Sequence, residues 1–151
     1  TTVGTCTGAV AGLVAITPAA GTVDLLGAFA IGIITPIICF FMVAVVKARF
    51  KYDDALDAFG VHGVGGIVGS VLTGVFATQA ITGEGGVQGS LYGDWHQLWV
   101  QLIATVFCIA FSAIVTVVLF FLVDKTVGIR VDKRVEEEGL DIYEHGESAY
   151  N

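Results

Sequence analysis

The stretch DDALDAFGVHGVGGIVG, residues 53 to 69, places a single histidine among glycines and aliphatic residues. Three aspartates precede His62, and no other ionisable side chain occurs between it and Ala77. Ionisable groups are rare in membrane-spanning helices, where by default they mark a substrate pathway or a proton relay. The pattern therefore favours a membrane helix with a functional His62, over the simpler alternative of a histidine near the interface that only bonds a neighbouring helix.

The composition of the whole chain is typical of a membrane protein. Hydrophobic residues make up 55% of the 151 residues and charged residues 14%, whereas a soluble domain is usually about a quarter charged. The net charge of -7 comes from clustered residues, mainly 47–57 and from Asp124 onward, so it gives no indication of nucleic-acid binding. Cys6, Cys39 and Cys108 lie in apolar runs, and their scattered spacing predicts neither a disulfide framework nor a metal site.

Four apolar stretches are long enough to cross a membrane as helices, since a span needs about 20 apolar residues. They cover residues 3–23, 25–46, 58–77 and 98–123. The sequence therefore predicts an all-α membrane protein, a polytopic transmembrane helix bundle over residues 1–123. A cytoplasmic C-terminal tail is predicted over residues 124–151.

The basic residues predict the orientation of the spans. Lys47, Arg49 and Lys51 connect spans two and three, and the other four basic residues follow span four. By the positive-inside rule, that connection and the tail lie in the cytoplasm. Trp95 and Trp99, at the opposite end of span four, are typical of an interfacial aromatic belt. The expected localisation is the plasma or inner cell membrane, with a multi-pass topology and a cytoplasmic C-terminus.

Asp54 and Asp57 occupy positions suited to the start of the third span. A carboxylate there can bond free backbone amides and interact favourably with the positive end of the helix dipole. If Asp54 is the cap, His62 lies eight residues into the helix, about 12 Å along its axis. A neutral imidazole offers one donor and one acceptor, which suits ammonia, water or a proton better than a permanently charged ion.

Small residues and prolines indicate how the spans pack. Gly66, Ser70 and Gly74 recur every four residues, which predicts one helix face where a neighbouring backbone approaches closely. Pro18 and Pro36 lie within spans one and two and are expected to kink each helix and free a carbonyl four residues earlier. Kinked, glycine-rich spans favour a transporter or channel over a simple anchor.

The tail is acidic but also contains regularly recurring apolar residues, among them Val127, Ile129, Leu140 and Ile142. A chain with that many apolar groups gains free energy by docking, whereas a purely charged tail would stay disordered. We therefore expect an ordered tail, in which Gly139 is needed for the backbone geometry of a turn.

Three stretches resemble signature sequences of the ammonium transporter family: GLVAITPAAG at 12–21, DDALDAFGVHGVGGIVG at 53–69 and GLDIYEHGESAY at 139–150. The resemblance covers essentially the whole chain. It implies an eleven-span transporter built from inverted repeats, whose last four spans and tail correspond to this chain, so that the chain is expected to be the C-terminal portion of a longer protein. It also implies a homotrimer with a separate hydrophobic pore in each subunit.

The same resemblance implies a transport mechanism. Ammonium is recruited outside and loses its proton, and ammonia passes two hydrogen-bonded pore histidines. His62 stands at the position of the second histidine, and the first is implied to lie on a span outside this sequence. The expected partners are ammonium or ammonia and the lipid bilayer, without cofactor or metal. The net transported species, whether ammonia, ammonium or ammonia with a proton, stays open.

Two alternative functions stay open. Some family members sense ammonium and many bind PII signal proteins on the cytoplasmic face, so the chain could belong to a sensor or regulatory membrane scaffold. A Rhesus-type gas channel is the other alternative, which is less favoured because the tail resembles the microbial and plant branch. An enzyme is not expected, since the sequence contains no nucleophile–base arrangement, phosphate-binding loop or cluster with metal-ligand spacing.

Overall fold

The computed structural model describes residues 1–148, and the regular elements of this part are helices. They are α1 (Thr2–Ile16, extended by a 3-10 turn at Thr17–Ala19), α2 (Leu25–Phe50), α3 (Phe59–Phe76), α4 (Gln79–Thr82), α5 (Trp95–Thr126), α6 (Lys133–Glu138) and α7 (Leu140–His145). Four of them, α1 with its turn, α2, α3 and α5, are long and apolar enough to cross a membrane. The predicted all-α fold class is confirmed, and residues 149–151 of the predicted tail lie outside the described residues.

The chain divides into two compact units. The first, Thr1–Cys108, contains α1 to α4 and the first part of α5, and the second begins at Ile109 and contains the rest of α5 with α6 and α7. In the second unit, Gly139 separates the two short helices with a φ of 112°, a conformation that favours glycine. Arg134 donates to both Glu138 and the hydroxyl of Tyr143, which in turn donates to Glu138. Part of the tail is thus helical and internally bonded.

Pro18 ends the first helix, contrary to the predicted kink inside a longer span. It lies in the 3-10 turn at Thr17–Ala19, and α1 closes when the amide of Thr17 donates to the carbonyl of Val14. The α1 helix with its turn therefore stops at Ala19, four residues before the predicted end at Val23. The reason is that a proline lacks the amide needed to continue an α-helix but fits the first positions of a new turn.

Pro36, by contrast, lies inside α2 as predicted. Because proline has no amide hydrogen, the carbonyl of Gly32 loses its partner in the helix. That carbonyl faces α1, since a Cβ built on Gly12 would lie 3.7 Å from the Gly32 oxygen and 3.9 Å from the Pro36 ring. The glycine on α1 therefore leaves room for the helix that carries the proline.

The first unit has a core of small side chains where α1, α2 and α3 meet. Its buried members are Ala11, Ala15 and Ala19 of α1, Ile31, Thr35 and Cys39 of α2, and Gly65, Gly69 and Thr73 of α3. In each helix these residues are four apart, so they share one face. Small residues at such positions allow the close backbone contact on which membrane helices depend for association.

The closest of these contacts joins α3 to α1. A Cβ on Gly69 would lie 2.2 Å from the carbonyl oxygen and 2.8 Å from the Cα of Ala15. Of the face predicted from the sequence, Gly74 also makes a close contact, because its Cβ would lie 2.9 Å from the Cα of Leu98. Gly66 makes no such contact with the described residues, since nothing lies within 4 Å of its built Cβ. The packed face is therefore offset by one residue from the predicted one along most of α3.

Replacing Gly69 by alanine should destabilise the full-length protein by about 1–3 kcal/mol, the usual cost of overpacking a filled contact. The added methyl group would meet backbone atoms of Ala15, which can move only with the whole of α1. The melting temperature of the purified protein in detergent measures the effect. Gly32→Ala is the matched control, because a Cβ there meets no described atom within 4 Å. Equal melting temperatures for the two variants would contradict the prediction.

Candidate functional site

The start of α3 is fixed by a side-chain cap. One carboxylate oxygen of Asp54 accepts hydrogen bonds from the amides of Phe59 and Gly60, at 3.0 and 3.3 Å. These amides belong to the first helical turn and have no partner within the helix. Asp54 thus satisfies them from outside the helix, which is the role that the sequence predicts for it.

Asp57, the other predicted member of this helix start, acts differently. Its carboxylate pairs with Lys47 at the end of α2, with 2.6 Å between Nζ and Oδ1, and its carbonyl accepts from the amide of Val61 at 2.9 Å. Lys47 also donates to the carbonyl oxygen of Asp54 at 2.5 Å. Sequence reasoning missed Lys47 as part of the site. The available signal was a basic residue at a helix end, seven and ten residues before two carboxylates that start the next helix.

His62 lies closer to the start of its helix than predicted. The segment from Asp54 to Asp57 stays outside α3, and Asp57 has a left-handed φ of 55°. The helix begins at Phe59, so His62 lies three residues in, about 5 Å along the axis at 1.5 Å per residue, instead of the predicted 12 Å. The first turn, Phe59–Gly63, is a wider π-helical turn, a feature often found at functional positions in helices.

The side chain of His62 is exposed and borders two cavities along the α1 and α3 faces. The first, here called the Thr2 cavity, has a volume of about 320 Å³ and is lined by Thr2, Cys6, Thr7 and Leu56 among others. The second, here called the Ser70 cavity, has a volume of about 450 Å³ and is lined by Val14, Thr17, Pro18, Gly66 and Ser70. His62 is the residue that lines both cavities.

The chemistry of the two cavities is uniform. Their walls are aliphatic apart from hydroxyl groups, one thiol and the imidazole of His62, and none of the described residues that line them is charged. An ion would lose its hydration there without an opposite charge to compensate, at a cost far above that of a neutral polar molecule. A small neutral molecule that both donates and accepts hydrogen bonds meets hydroxyl groups on either side of the imidazole.

Gly66 and Ser70 belong to this face of α3. They follow His62 at intervals of four residues, so the three lie above one another along the helix, and all three line the Ser70 cavity. The recurrence of small residues every four positions, which predicts close packing, therefore lies on the open side of α3 at Gly66 and Ser70. Gly65 and Gly69, one residue earlier in each case, provide the packed side.

The opposite end of the unit is closed by a second carboxylate cap. Asp24 accepts from the amide of Gly27 at 2.8 Å and from the hydroxyl of Tyr92 at 3.3 Å. The pKa of the Tyr92 phenol is raised, first by desolvation and then by the negative charge of Asp24. The amide of Thr78 donates to the carbonyl of Thr22 at 2.9 Å. These bonds attach the connection between α3 and α5 to the start of α2.

Residues 1–150 match the family model described as Ammonium Transporter Family. The chain belongs to the ammonium transporter family. The ammonium transporter of Aquifex aeolicus is 52% identical over 151 residues, which are 100% of this chain and 35% of that protein. The ammonium transporter of Bacillus subtilis is 45% identical over 150 residues, 99% of this chain and 37% of that protein.

Solved structures show the same fold. The crystal structure of Saccharomyces cerevisiae Mep2 gives a TM-score of 0.80 at 36% identity, over 89% of this chain and 31% of that one. Candida albicans Mep2 gives a TM-score of 0.79 at 38% identity, over 89% of this chain and 30% of that one. This member of the ammonium transporter family is therefore a multi-pass helical membrane protein. The chain spans about a third of the length of the curated relatives it matches.

Removing the cap of α3 should loosen its first turn. Asp54→Ala leaves the amides of Phe59 and Gly60 without their side-chain acceptor, and loss of such a cap typically costs about 1 kcal/mol. We expect faster hydrogen exchange at these two amides in the full-length protein. Asp53→Ala is the control, because the neighbouring Asp53 is exposed and makes no hydrogen bond or ion pair among the described residues. Unchanged exchange in Asp54→Ala would refute the capping role.

Proposed function

We propose that the complete protein transports ammonium and that ammonia passes along the open face of α1 and α3, from one cavity to the other past His62. The observation that carries this proposal is that His62 borders both the Thr2 cavity and the Ser70 cavity. A molecule that moves from one cavity to the other must pass the imidazole. Membership of the ammonium transporter family supplies the identity of the molecule.

The physical chemistry of the face supports ammonia as the species that passes His62. The walls offer hydroxyl groups from Thr7, Thr17 and Ser70 but no charge, so ammonium would have to give up its proton before it enters. A neutral imidazole can then donate one hydrogen bond and accept another. In this proposal His62 is one member of a histidine pair, and its partner lies in a part of the protein outside this chain.

The wider architecture is also proposed from the family. The chain is the C-terminal portion of the transporter, with the connection around Lys47 and the tail in the cytoplasm and the spans in the plasma or inner cell membrane. His62 is exposed within this chain, which supports the proposal that the remaining spans of the transporter cover the open face of α1 and α3. The α5 helix supports assembly into a homotrimer or burial in lipid, because it is apolar and none of its residues is buried within the described part of the chain.

A regulatory role through the tail is the second candidate. It is supported by the internally bonded pair α6 and α7, where Tyr143 links Arg134 to Glu138. A folded, charged element of this kind offers a surface to a cytoplasmic protein, and PII signal proteins are the proposed partners. Transport and regulation are compatible functions of one protein, and nothing in the site calls for enzymatic chemistry.

Uptake of labelled methylammonium tests the transport proposal. We expect that His62→Ala, in the full-length protein, changes the rate or the ammonium selectivity by about tenfold or more, as loss of a group that orients a reacting molecule does. His96→Ala is the matched control, because His96 is exposed and lines neither cavity. Normal rate and selectivity in a well-assembled His62→Ala protein would refute the role of His62. Absence of uptake by the wild-type protein would refute the transport function itself.

Chemical labelling tests whether the Thr2 cavity is part of the pathway. Cys6 lines that cavity together with His62, and an exposed thiol reacts readily with methanethiosulfonates once it ionises. In inside-out vesicles, a membrane-impermeant reagent should block most of the uptake by the full-length protein. Cys6→Ser should remove this block, whereas Cys108→Ser should leave it unchanged, because Cys108 does not line either cavity. Block that persists in Cys6→Ser would place the pathway elsewhere.

A further inference from the structure

One ammonium group joins the end of α2 to the segment that precedes α3. Nζ of Lys47 lies 2.6 Å from the carboxylate of Asp57 and 2.5 Å from the carbonyl oxygen of Asp54. The side chains of Lys47 and Asp57 are only 28% and 30% exposed, so water screens this ion pair less than one at a fully exposed surface. Lys47 therefore contacts both ends of the short segment from Asp54 to Asp57.

This segment adopts a backbone conformation that its sequence does not favour. Asp57 has a φ of 55°, and Lys51, at the end of α2, has a φ of 52°. A non-glycine residue in this region costs about 1 kcal/mol or more and persists where surrounding contacts fix it. The contacts that hold it here include the hydrogen bond from the amide of Asp57 to the carbonyl of Asp54 at 3.1 Å and the two bonds from Lys47. Tyr52 also packs edge-to-face on Phe59, with ring centroids 6.0 Å apart.

The bonds of Lys47 continue into the turn that carries His62. Asp54, whose carbonyl binds Lys47, caps the amides of Phe59 and Gly60 with its carboxylate. Asp57, whose carboxylate binds Lys47, accepts the amide of Val61 with its carbonyl. Three successive amides immediately before His62 are thus bonded to two aspartates that share one ammonium group.

Close packing of α2 on this turn reinforces the connection. A Cβ on Gly60 would lie 2.6 Å from the Cγ2 atom of Val43, and Val61 is buried against the same helix with Cys39. The imidazole of His62, by comparison, is exposed and makes no hydrogen bond to the described residues. The backbone of the first turn therefore decides where the imidazole lies.

We propose that Lys47 is a positioning residue for His62: through Asp54 and Asp57, its ammonium group fixes the first turn of α3 and so sets the imidazole between the Thr2 and Ser70 cavities. This inference rests on the proposed transport function, and it assigns a role in conduction to a residue that touches neither cavity. The proposed role requires the hydrogen bonds of Lys47 to the two aspartates and not only a positive charge at this end of α2. Arg49 also supplies a positive charge there, but it is exposed and has no ion pair among the described residues.

The test compares Lys47→Met with Arg49→Met in the full-length transporter, with both proteins normalised for the amount assembled in the membrane. Both variants remove one positive charge from the same end of α2, but only the first removes the bonds to the aspartates. For Lys47→Met we expect the maximal methylammonium uptake rate to fall about tenfold with KM changed less than about twofold, because a misplaced group acts on the passage step and not on recruitment. Arg49→Met should keep the wild-type rate. Lys47→Arg should restore part of the rate, because it keeps a charged donor.

Hydrogen exchange supplies a readout that does not depend on transport. In Lys47→Met, the amides of Phe59, Gly60 and Val61 should exchange faster than in the wild type and in Arg49→Met. A lower uptake rate with unchanged exchange, or faster exchange with a normal rate, would overturn the inference, as would equal loss in the two methionine variants. If Lys47→Met does not assemble, Asp57→Asn, which weakens the same ion pair, is measured in the same way. A wild-type protein without uptake would refute the proposed function, and unchanged exchange would then still refute the role of Lys47.

Discussion

The contact between Gly69 and the backbone of Ala15 is the constraint on which the arrangement of the first unit depends. Any side chain at Gly69 would overlap the Ala15 carbonyl, so the two helices reach this separation only because a glycine is present. Their separation sets the width of the face on which both cavities lie. The open face that His62 borders therefore depends on the absence of a side chain at Gly69, on the opposite side of the same helix.

The α3 helix has two glycine-containing faces with different surroundings. Gly65 and Gly69 allow α1 and α2 to approach, whereas Gly66 leaves the wall of the Ser70 cavity free of a side chain. The first face stabilises the bundle by close backbone packing, and the second gives a small molecule room next to the imidazole. A single substitution from glycine to alanine therefore has different consequences at adjacent positions.

The charged residues of the first unit lie at its two ends and fix the connections between helices. Asp54 and Asp57 with Lys47 hold the start of α3, and Asp24 with Tyr92 holds the start of α2. Between these ends the buried polar groups are hydroxyls, such as Thr73, which donates to the carbonyl of Gly69. This distribution keeps charges out of the apolar region, where an unpaired charge would be most costly. Apart from cysteine thiols, the ionisable side chain in that region is His62.

The sequence by itself determined the helical class and the four apolar helices, because these follow from composition and length. It also singled out His62, because ionisable residues are rare in membrane helices, and the role of this residue in transport stays a prediction. It also indicated Asp54, since capping depends on residues close in sequence. Only the tertiary structure decided which of two glycine sets packs, because both recur every four residues and differ by one position. The tertiary structure likewise brought Lys47 to Asp57. Such contacts join segments on different helices, and local sequence pattern contains no information about which helix faces meet.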